Sequence, residues 1–183
     1  RLAASAEYFD FTFDHFAVES ALASIASSCR DGRWRVRLSL AADGTLTTVP
    51  TRLPDLPASS LSYMISQKRV DPADHFLFHK TTRRDLYDGE HARLAAATGC
   101  DEVIFLNIRG ELAEGSRTNI FVERGGRLLT PPLSAGLLPG TLRQELIDTG
   151  KAFEATLTLA DLDDGQVFLG NSVRGLLPAT RLG

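Results

Sequence analysis

The order of apolar and polar positions predicts a helix and a hairpin in the first third of the chain. Apolar side chains recur every three or four positions over residues 15–30, which is the spacing of one helix face, and Asp14 precedes them as an N-cap. Residues 34–40 alternate between apolar and polar side chains, which predicts a half-buried strand. Asp43-Gly44 predicts the turn to a return strand over residues 45–49.

The remaining pattern predicts further strands and helices in an irregular order. Short apolar or alternating runs predict strands, and two longer segments predict helices, the first of which ends at Gly99. The predicted strands are 61–65, 103–106, 119–123, 127–130, 152–158 and 166–170, and the predicted helices are 84–98 and 142–149. Because strands and helices do not alternate regularly, the pattern indicates an α+β fold.

Prolines mark the predicted domain boundary. Pro50, Pro54 and Pro57 fall within eight positions, where they disfavour both helix interiors and sheet ladders. We therefore expect a linker with a boundary near residue 55. The expected domains are residues 1–54 and 55–183.

Composition and charge argue against several classes of function. The 183 residues are 43% hydrophobic and 23% charged with a net charge of −3, which is typical of a globular protein and leaves no basic footprint for nucleic acid. Prolines and glycines interrupt the apolar stretch 128–142, so it predicts no membrane-spanning helix. Two cysteines, Cys29 and Cys100, form no disulfide framework and suit a reducing, cytoplasmic location. Because the chain begins at Arg1 rather than Met, we expect it to be part of a longer polypeptide.

Two charged residues stand beside apolar runs. Lys80 follows Phe76-Leu77-Phe78, and a lysine at the end of a buried strand would be desolvated, which favours a neutral amine able to form a Schiff base with an aldehyde. Glu114 lies between a turn and a strand, where its carboxylate can accept a hydrogen bond from a protonated heterocyclic nitrogen. Taken alone, a surface lysine that closes a strand and a solvated acid in a loop explain the same residues.

Two further segments have groups that can bind anions. A Pro/Gly-rich loop over residues 131–140 leads into a predicted helix, whose first N–H groups are unpaired and attract phosphate. Asn171 and Ser172 follow an apolar strand and can donate hydrogen bonds to phosphate or carboxylate oxygens. A simple turn before a helix and a polar strand end explain these segments without a ligand. The four histidines have no metal-ligand spacing with cysteines or paired carboxylates, so no metal site is predicted.

The order of these segments resembles the class IV aminotransferase family of pyridoxal phosphate enzymes. The matching residues are, in chain order, Lys80, Glu114-Gly115-Ser116, Asn119-Ile120-Phe121, Thr130-Pro131-Pro132, Gly136 to Gly140, Arg143 and Gly170-Asn171-Ser172. This family contains branched-chain and D-amino acid aminotransferases and 4-amino-4-deoxychorismate lyases. The run His79 to Arg84, followed by Tyr87-Asp88, is most similar to the lyase domain of fused para-aminobenzoate synthases.

The resemblance implies a fold and a set of site residues. The fold is type IV of the pyridoxal phosphate enzymes, with a small α+β domain, N-terminally incomplete at 1–54, and a larger domain with a barrel-like β core. Lys80 is implied as the catalytic lysine that also holds the cofactor, and Glu114 as the partner of the pyridine nitrogen. The other implied cofactor ligands are Arg1, whose run to Ala6 resembles the family's Arg-Leu-x-x-Ser-Ala helix, and Thr141, Leu142, Asn171 and Ser172.

The resemblance also implies a reaction. With pyridoxal 5'-phosphate as cofactor, the small-molecule substrate 4-amino-4-deoxychorismate would lose pyruvate to give 4-aminobenzoate for folate biosynthesis. A homodimer is implied, fused to or acting with an aminodeoxychorismate synthase component. Two alternatives stay open: an aminotransferase for branched-chain or D-amino acids, which would use Lys80 and Glu114 in the same way, and an inactive lyase-like appendage of a larger synthase.

Overall fold

The chain divides into two compact units. The computed structural model describes residues 1–54 and 59–183. The two units are Arg1–Pro57 and Ala58–Gly183. The predicted boundary near residue 55 and Pro57 of the predicted linker lie outside the described residues.

The first unit combines two helices and a hairpin. Its elements are helix α1 (Leu2–Tyr8), helix α2 (His15–Ser28), strand β1 (Trp34–Leu40) and strand β2 (Leu46–Arg52). Helix α2 begins where the sequence predicts, because the Asp14 carboxylate accepts hydrogen bonds from the N–H groups of Phe16 and Ala17 at 2.9 and 3.2 Å. β1 and β2 pair antiparallel, and Gly44 lies in the turn between them with a φ of +88°.

The second unit is built on an eight-stranded sheet. Its strands are β3 (Leu61–Val70), β4 (Glu102–Asn107), β5 (Leu112–Gly115), β6 (Asn119–Arg124), β7 (Arg127–Thr130), β8 (Ala152–Glu154), β9 (Gln166–Asn171) and β10 (Gly175–Arg181). They lie in the order β5-β4-β3-β10-β9-β6-β7-β8. β3 runs parallel to β4 and β10, β7 runs parallel to β8, and the other neighbours are antiparallel. The sheet curls into a half-barrel, which confirms the predicted α+β class with a barrel-like core.

Helices connect the strands of this sheet. They are a 3-10 helix (His75–Phe78), α3 (Asp85–Thr98), a second 3-10 helix (Leu133–Ala135), α4 (Thr141–Asp148) and α5 (Leu159–Asp164). Helix α3 joins the parallel strands β3 and β4, and it ends as predicted at Gly99, whose φ of +75° suits a residue without a Cβ. No helix within residues 1–54 and 59–183 is long and apolar enough to cross a membrane.

Strand β4 is buried on both faces of the sheet. Val103 and Phe105 belong to a cluster that includes the buried face of α3. Ile104 and Leu106 point to the opposite face and pack with residues of β3, β6 and β9. Each such side chain stabilises the fold by about 1.5–3 kcal/mol through burial. This two-sided burial explains why the sequence of β4 is a continuous apolar run rather than an alternating one.

Three predictions of local structure need correction. The apolar run before Lys80 is a 3-10 helix and not a strand, because the Asp74 carboxylate accepts a hydrogen bond from the Phe76 N–H at 3.0 Å and caps a helical turn. The strand predicted over 152–158 ends at Glu154, since Thr158 forms a capping box that starts α5. The sequence pattern also failed to predict β5, α5 and β10, which are short or irregular in polarity.

Candidate active site

Glu114 is the buried carboxylate at the centre of the candidate site. It lies on β5, whose four residues are all buried. Its Oε1 accepts a hydrogen bond from the Tyr87 hydroxyl at 2.7 Å, and its Oε2 accepts one from the Leu138 N–H at 3.0 Å. Burial raises the pKa of Glu114 to about 7, although both hydrogen bonds and the charges of Arg84 and Lys80 act in the opposite direction. This carboxylate therefore ionises near neutral pH and has oxygen lone pairs to offer a cationic N–H.

Helix α3 supplies the side chains behind Glu114. Tyr87 is buried, and its ring packs edge-on against Phe105 with 4.9 Å between the centroids. The Arg84 guanidinium lies 5.5 Å from the centroid of the Tyr87 ring and donates a hydrogen bond to the Ser116 carbonyl. Burial and the charge of Glu114 raise the pKa of the Tyr87 hydroxyl, so this hydroxyl stays protonated and acts as a donor.

One residue of the Pro/Gly-rich loop joins this carboxylate to the start of helix α4. Leu138 donates its N–H to Glu114, and its carbonyl accepts a hydrogen bond from the Asn119 side-chain amide at 3.0 Å. Gly140 is the N-cap of α4, and a Cβ at this position would overlap the side-chain oxygen of Asn119. Because Gly140 has no side chain to cap the helix, the first N–H groups of α4 are left for an anion.

The predicted phosphate ligands of the second unit lie on both sides of this helix start. Thr141 and Leu142 form the first turn of α4, and a methyl of Leu142 stands 3.0 Å from the place where a Cβ of Gly170 would be. Asn171 ends β9, with its amide already engaged: it donates to a backbone carbonyl and accepts from two backbone N–H groups, each at 3.0 Å. Ser172 is exposed in the turn after β9. The α4 start and the end of β9 are thus brought together, and their binding of phosphate stays a prediction.

A second buried carboxylate fixes the loop that follows β5. Glu102 is fully buried at the start of β4. Its oxygens accept hydrogen bonds from the Ser116 hydroxyl, from the Arg117 N–H at 3.2 Å and from the Thr118 hydroxyl at 3.0 Å. A Cβ on Gly115 would overlap the Thr118 hydroxyl. Glu102 therefore holds the loop directly beyond Glu114 in one conformation.

The predicted roles of Lys80 and Arg1 as cofactor ligands stay predictions. Lys80 follows a 3-10 helix and its side chain is exposed, which corrects the expectation of a desolvated lysine at the end of a buried strand. Its charge nevertheless acts on Glu114, whose pKa it lowers. Arg1 belongs to the first unit, where it is the N-cap residue of α1.

The partners of Glu114 are the residues that sequence reasoning missed. Tyr87 enters the sequence interpretation only as part of the resemblance, and Leu138 only as part of a loop. Helical spacing could have indicated that Tyr87 is buried, because Tyr87 shares one face of α3 with Glu90 and Leu94. Within the residues that the structure describes, no group of three or more His, Cys, Asp or Glu side chains can hold a metal ion.

Comparison with known proteins gives the class of this protein. The family model of the amino-transferase class IV proteins matches residues 1–182. The chain therefore belongs to the class IV aminotransferase family, as the resemblance implies.

Three similar proteins illustrate the range within the family. A relative from Schizosaccharomyces pombe named "Putative aminodeoxychorismate lyase" is 28% identical over 162 residues, which are 86% of this chain and 70% of the relative. A relative from Thermotoga maritima named "Probable branched-chain-amino-acid aminotransferase" is 33% identical over 91 residues, which are 45% of this chain and 33% of the relative. A crystal structure of a "Putative amino-acid aminotransferase" from Mesorhizobium loti has 36% identity and a TM-score of 0.92, and the match covers 100% of this chain and 88% of that chain. The chain thus spans about a third of the Thermotoga maritima relative.

Proposed function

We propose that this protein uses pyridoxal 5'-phosphate to eliminate pyruvate from 4-amino-4-deoxychorismate, which gives 4-aminobenzoate. The likeness of His79 to Arg84 to lyase domains supports this reaction. The Schizosaccharomyces pombe relative supports it too, because that match extends over 86% of the chain, against 45% for the Thermotoga maritima aminotransferase. A homodimer fused to, or acting with, an aminodeoxychorismate synthase component is part of the same proposal.

The buried carboxylate of Glu114, with its raised pKa, is the observation that best supports the cofactor assignment. A buried carboxylate whose pKa is about 7 gains stabilisation from a cationic N–H, and the ring nitrogen of this cofactor provides one. The phosphate dianion needs several N–H donors, and those of α4 begin three residues after Leu138, which binds Glu114. The residues of the second unit therefore fit a ligand with a basic ring nitrogen at one end and a phosphate at the other.

Each part of the cofactor has a proposed partner in this chain. Glu114 would hold the ring nitrogen, and Lys80 would supply the amine for the aldehyde carbon. The proposed phosphate ligands are the backbone N–H groups of Thr141 and Leu142, together with Arg1, Asn171 and Ser172. When bound, the cofactor supplies an electrophilic carbon for the substrate amine and a ring that accepts electron density.

Lys80 and Glu114 have separate acid–base roles in the proposed elimination. Lys80, as a neutral amine, removes the proton from C4 of the substrate. Glu114 would hold a proton on the ring nitrogen of the bound cofactor, and that positive charge would favour removal of the C4 proton. Loss of this proton and cleavage of the bond to the enolpyruvyl oxygen make the substrate ring aromatic. The enolpyruvate that leaves takes up a proton, which the Lys80 ammonium can return, and becomes pyruvate.

An aminotransferase is the second candidate. The Mesorhizobium loti structure, with 36% identity and a TM-score of 0.92, favours this reaction. Lys80 and Glu114 would serve it equally, since a transaminase also removes a proton beside the substrate amine. The two reactions differ in the group that leaves the substrate, so products separate them.

A product assay on the purified protein tests the proposal. With pyridoxal phosphate and 4-amino-4-deoxychorismate, we expect pyruvate and 4-aminobenzoate in equal amounts, and neither product from a Lys80→Ala variant. Transfer of an amino group from branched-chain or D-amino acids to a 2-oxo acid, without pyruvate elimination, would replace the lyase by the aminotransferase. A protein without either activity and without the visible absorption of bound cofactor would be the inactive appendage.

A further inference from the structure

Packing around the Tyr87 ring restricts the position of its hydroxyl, which lies within hydrogen-bonding distance of Glu114. Tyr87 is 9% exposed, and Phe105 packs edge-on against its ring at 4.9 Å between centroids. Arg84 lies against the same ring, with its guanidinium carbon 5.5 Å from the centroid. The hydroxyl donates to Glu114 Oε1 at 2.7 Å, which is the optimum length for an O–H···O bond.

The two donors on Glu114 differ in what they allow. The Leu138 N–H can only donate, so the Oε2 lone pair that faces it cannot carry a proton. The Tyr87 hydroxyl can donate to an ionised Oε1 or accept from a protonated one. Both donors favour the ionised carboxylate, and of the two the Tyr87 hydroxyl is the one that a side-chain substitution can remove. With one donor on each oxygen, the plane of the carboxylate is also fixed.

We propose that Tyr87 is a positioning residue, whose hydroxyl keeps Glu114 ionised and oriented toward the ring nitrogen of the cofactor. This role rests on the proposed use of pyridoxal phosphate. Tyr87 acts only through Glu114, so its contribution is a change in the proton equilibrium of that carboxyl group.

The groups around Glu114 set the direction of the expected effect. Burial raises the pKa of Glu114, and four groups oppose it: the Tyr87 hydroxyl, the Leu138 N–H and the charges of Arg84 and Lys80. Removing the Tyr87 hydroxyl leaves burial in place and deletes the first of the opposing groups. The pKa of Glu114 then rises further above 7, and less of the carboxyl group is ionised at neutral pH.

A Tyr87→Phe variant tests this inference with Tyr63→Phe as the matched control. Tyr63 is also a buried tyrosine, but it belongs to the cluster on the other face of the sheet. Infrared titration of the cofactor-free protein follows the carboxylic-acid band of Glu114, identified by its loss in Glu114→Gln. We expect Tyr87→Phe to move the midpoint of the Glu114 titration upward by about one to two pH units, and Tyr63→Phe to leave that midpoint unchanged.

A second perturbation keeps the Tyr87 ring and oxygen in place. Fluorotyrosine incorporated into the Tyr63→Phe variant makes Tyr87 the only buried tyrosine that is modified, since Tyr8 is 53% exposed. A more acidic phenol is a stronger donor, so the midpoint of Glu114 should move downward. Equal midpoints in Tyr87→Phe, in the fluorotyrosine protein and in the wild type would overturn the inference.

A measurement on the loaded protein separates this inference from the proposed function. The ¹⁵N chemical shift of labelled pyridoxal phosphate reports whether the ring nitrogen is protonated. We expect a protonated nitrogen in wild type and Tyr63→Phe, and a shift toward the neutral form in Tyr87→Phe. A wild type that binds no cofactor would refute the proposed function, while the infrared titration would still decide whether Tyr87 controls Glu114. A ring nitrogen with the same shift in all three proteins would refute the role of Tyr87 alone.

Discussion

Replacing Glu114 with glutamine should make the cofactor-free protein more stable above neutral pH. The substitution removes a buried negative charge and keeps the size of the side chain. The glutamine oxygen can accept the Leu138 N–H, and the Tyr87 hydroxyl can rotate to accept from the glutamine NH₂ group. Each neighbour keeps one hydrogen bond to the side chain at position 114, with the Tyr87 hydroxyl changing from donor to acceptor, so the lost charge is the main difference between the two proteins.

The magnitude follows from the pKa of Glu114. Burial raises this pKa from an ordinary 4.5 to about 7, which disfavours the ionised carboxylate in the folded state by about 3 kcal/mol. Between these two values the folded state binds more protons than the unfolded state, so wild-type stability falls as pH rises through this window and is level above it. Glutamine does not titrate. We therefore expect Glu114→Gln to gain up to about 3 kcal/mol at pH 8 and to change little at pH 4.5.

Urea unfolding at pH 4.5 and pH 8 measures this difference, and Glu90→Gln is the matched control. Glu90 is also buried, but hydrogen bonding to the Arg93 guanidinium, at 2.8 Å, is the main cause that lowers its pKa to about 2. A lowered pKa stabilises the fold above an ordinary pKa of 4.5, so Glu90→Gln should lose stability at pH 8. If Glu114→Gln is no more stable than the wild type at pH 8, burial does not outweigh the two hydrogen bonds of Glu114, and the reasoning fails.

Three further predictions concern the candidate site. Lys80→Ala should abolish activity and the borohydride-reducible attachment of cofactor, and peptide mapping that places the label on either of the other two lysines would contradict this. Gly140→Ala should weaken cofactor binding and lower the free energy of unfolding in urea by about 1–3 kcal/mol, because its Cβ displaces Asn119. The control Gly89→Ala, with no atom within 4 Å of its Cβ, should instead stabilise α3. Glu114→Gln should lower kcat for pyruvate release about 10- to 100-fold with near-normal cofactor content, and full turnover would remove Glu114 from the mechanism.

Elements whose hydrogen bonds close within a few residues could be predicted from the sequence pattern alone. Asp14 caps α2 through N–H groups two and three positions away, and Gly99 ends α3 in the left-handed conformation. The apolar run of residues 103–106 predicted a strand, which is β4 in the structure. The order of the motifs around Lys80 and Glu114 also identified the family, because proteins that share a fold place the residues of a common site in the same order along the chain.

The residues that surround the candidate site come from distant parts of the chain and could be identified only in the folded protein. Tyr87 and Leu138 lie 27 and 24 positions from Glu114, and they meet it because α3 and the loop before α4 both return to β5. The run Phe76-Leu77-Phe78 is compatible with a strand or a helical turn, and in the folded chain it forms the helical turn. The pKa of Glu114 near 7 is likewise decided by burial. Burial depends on atoms from several elements of the fold, and no local pattern around Glu114 specifies them.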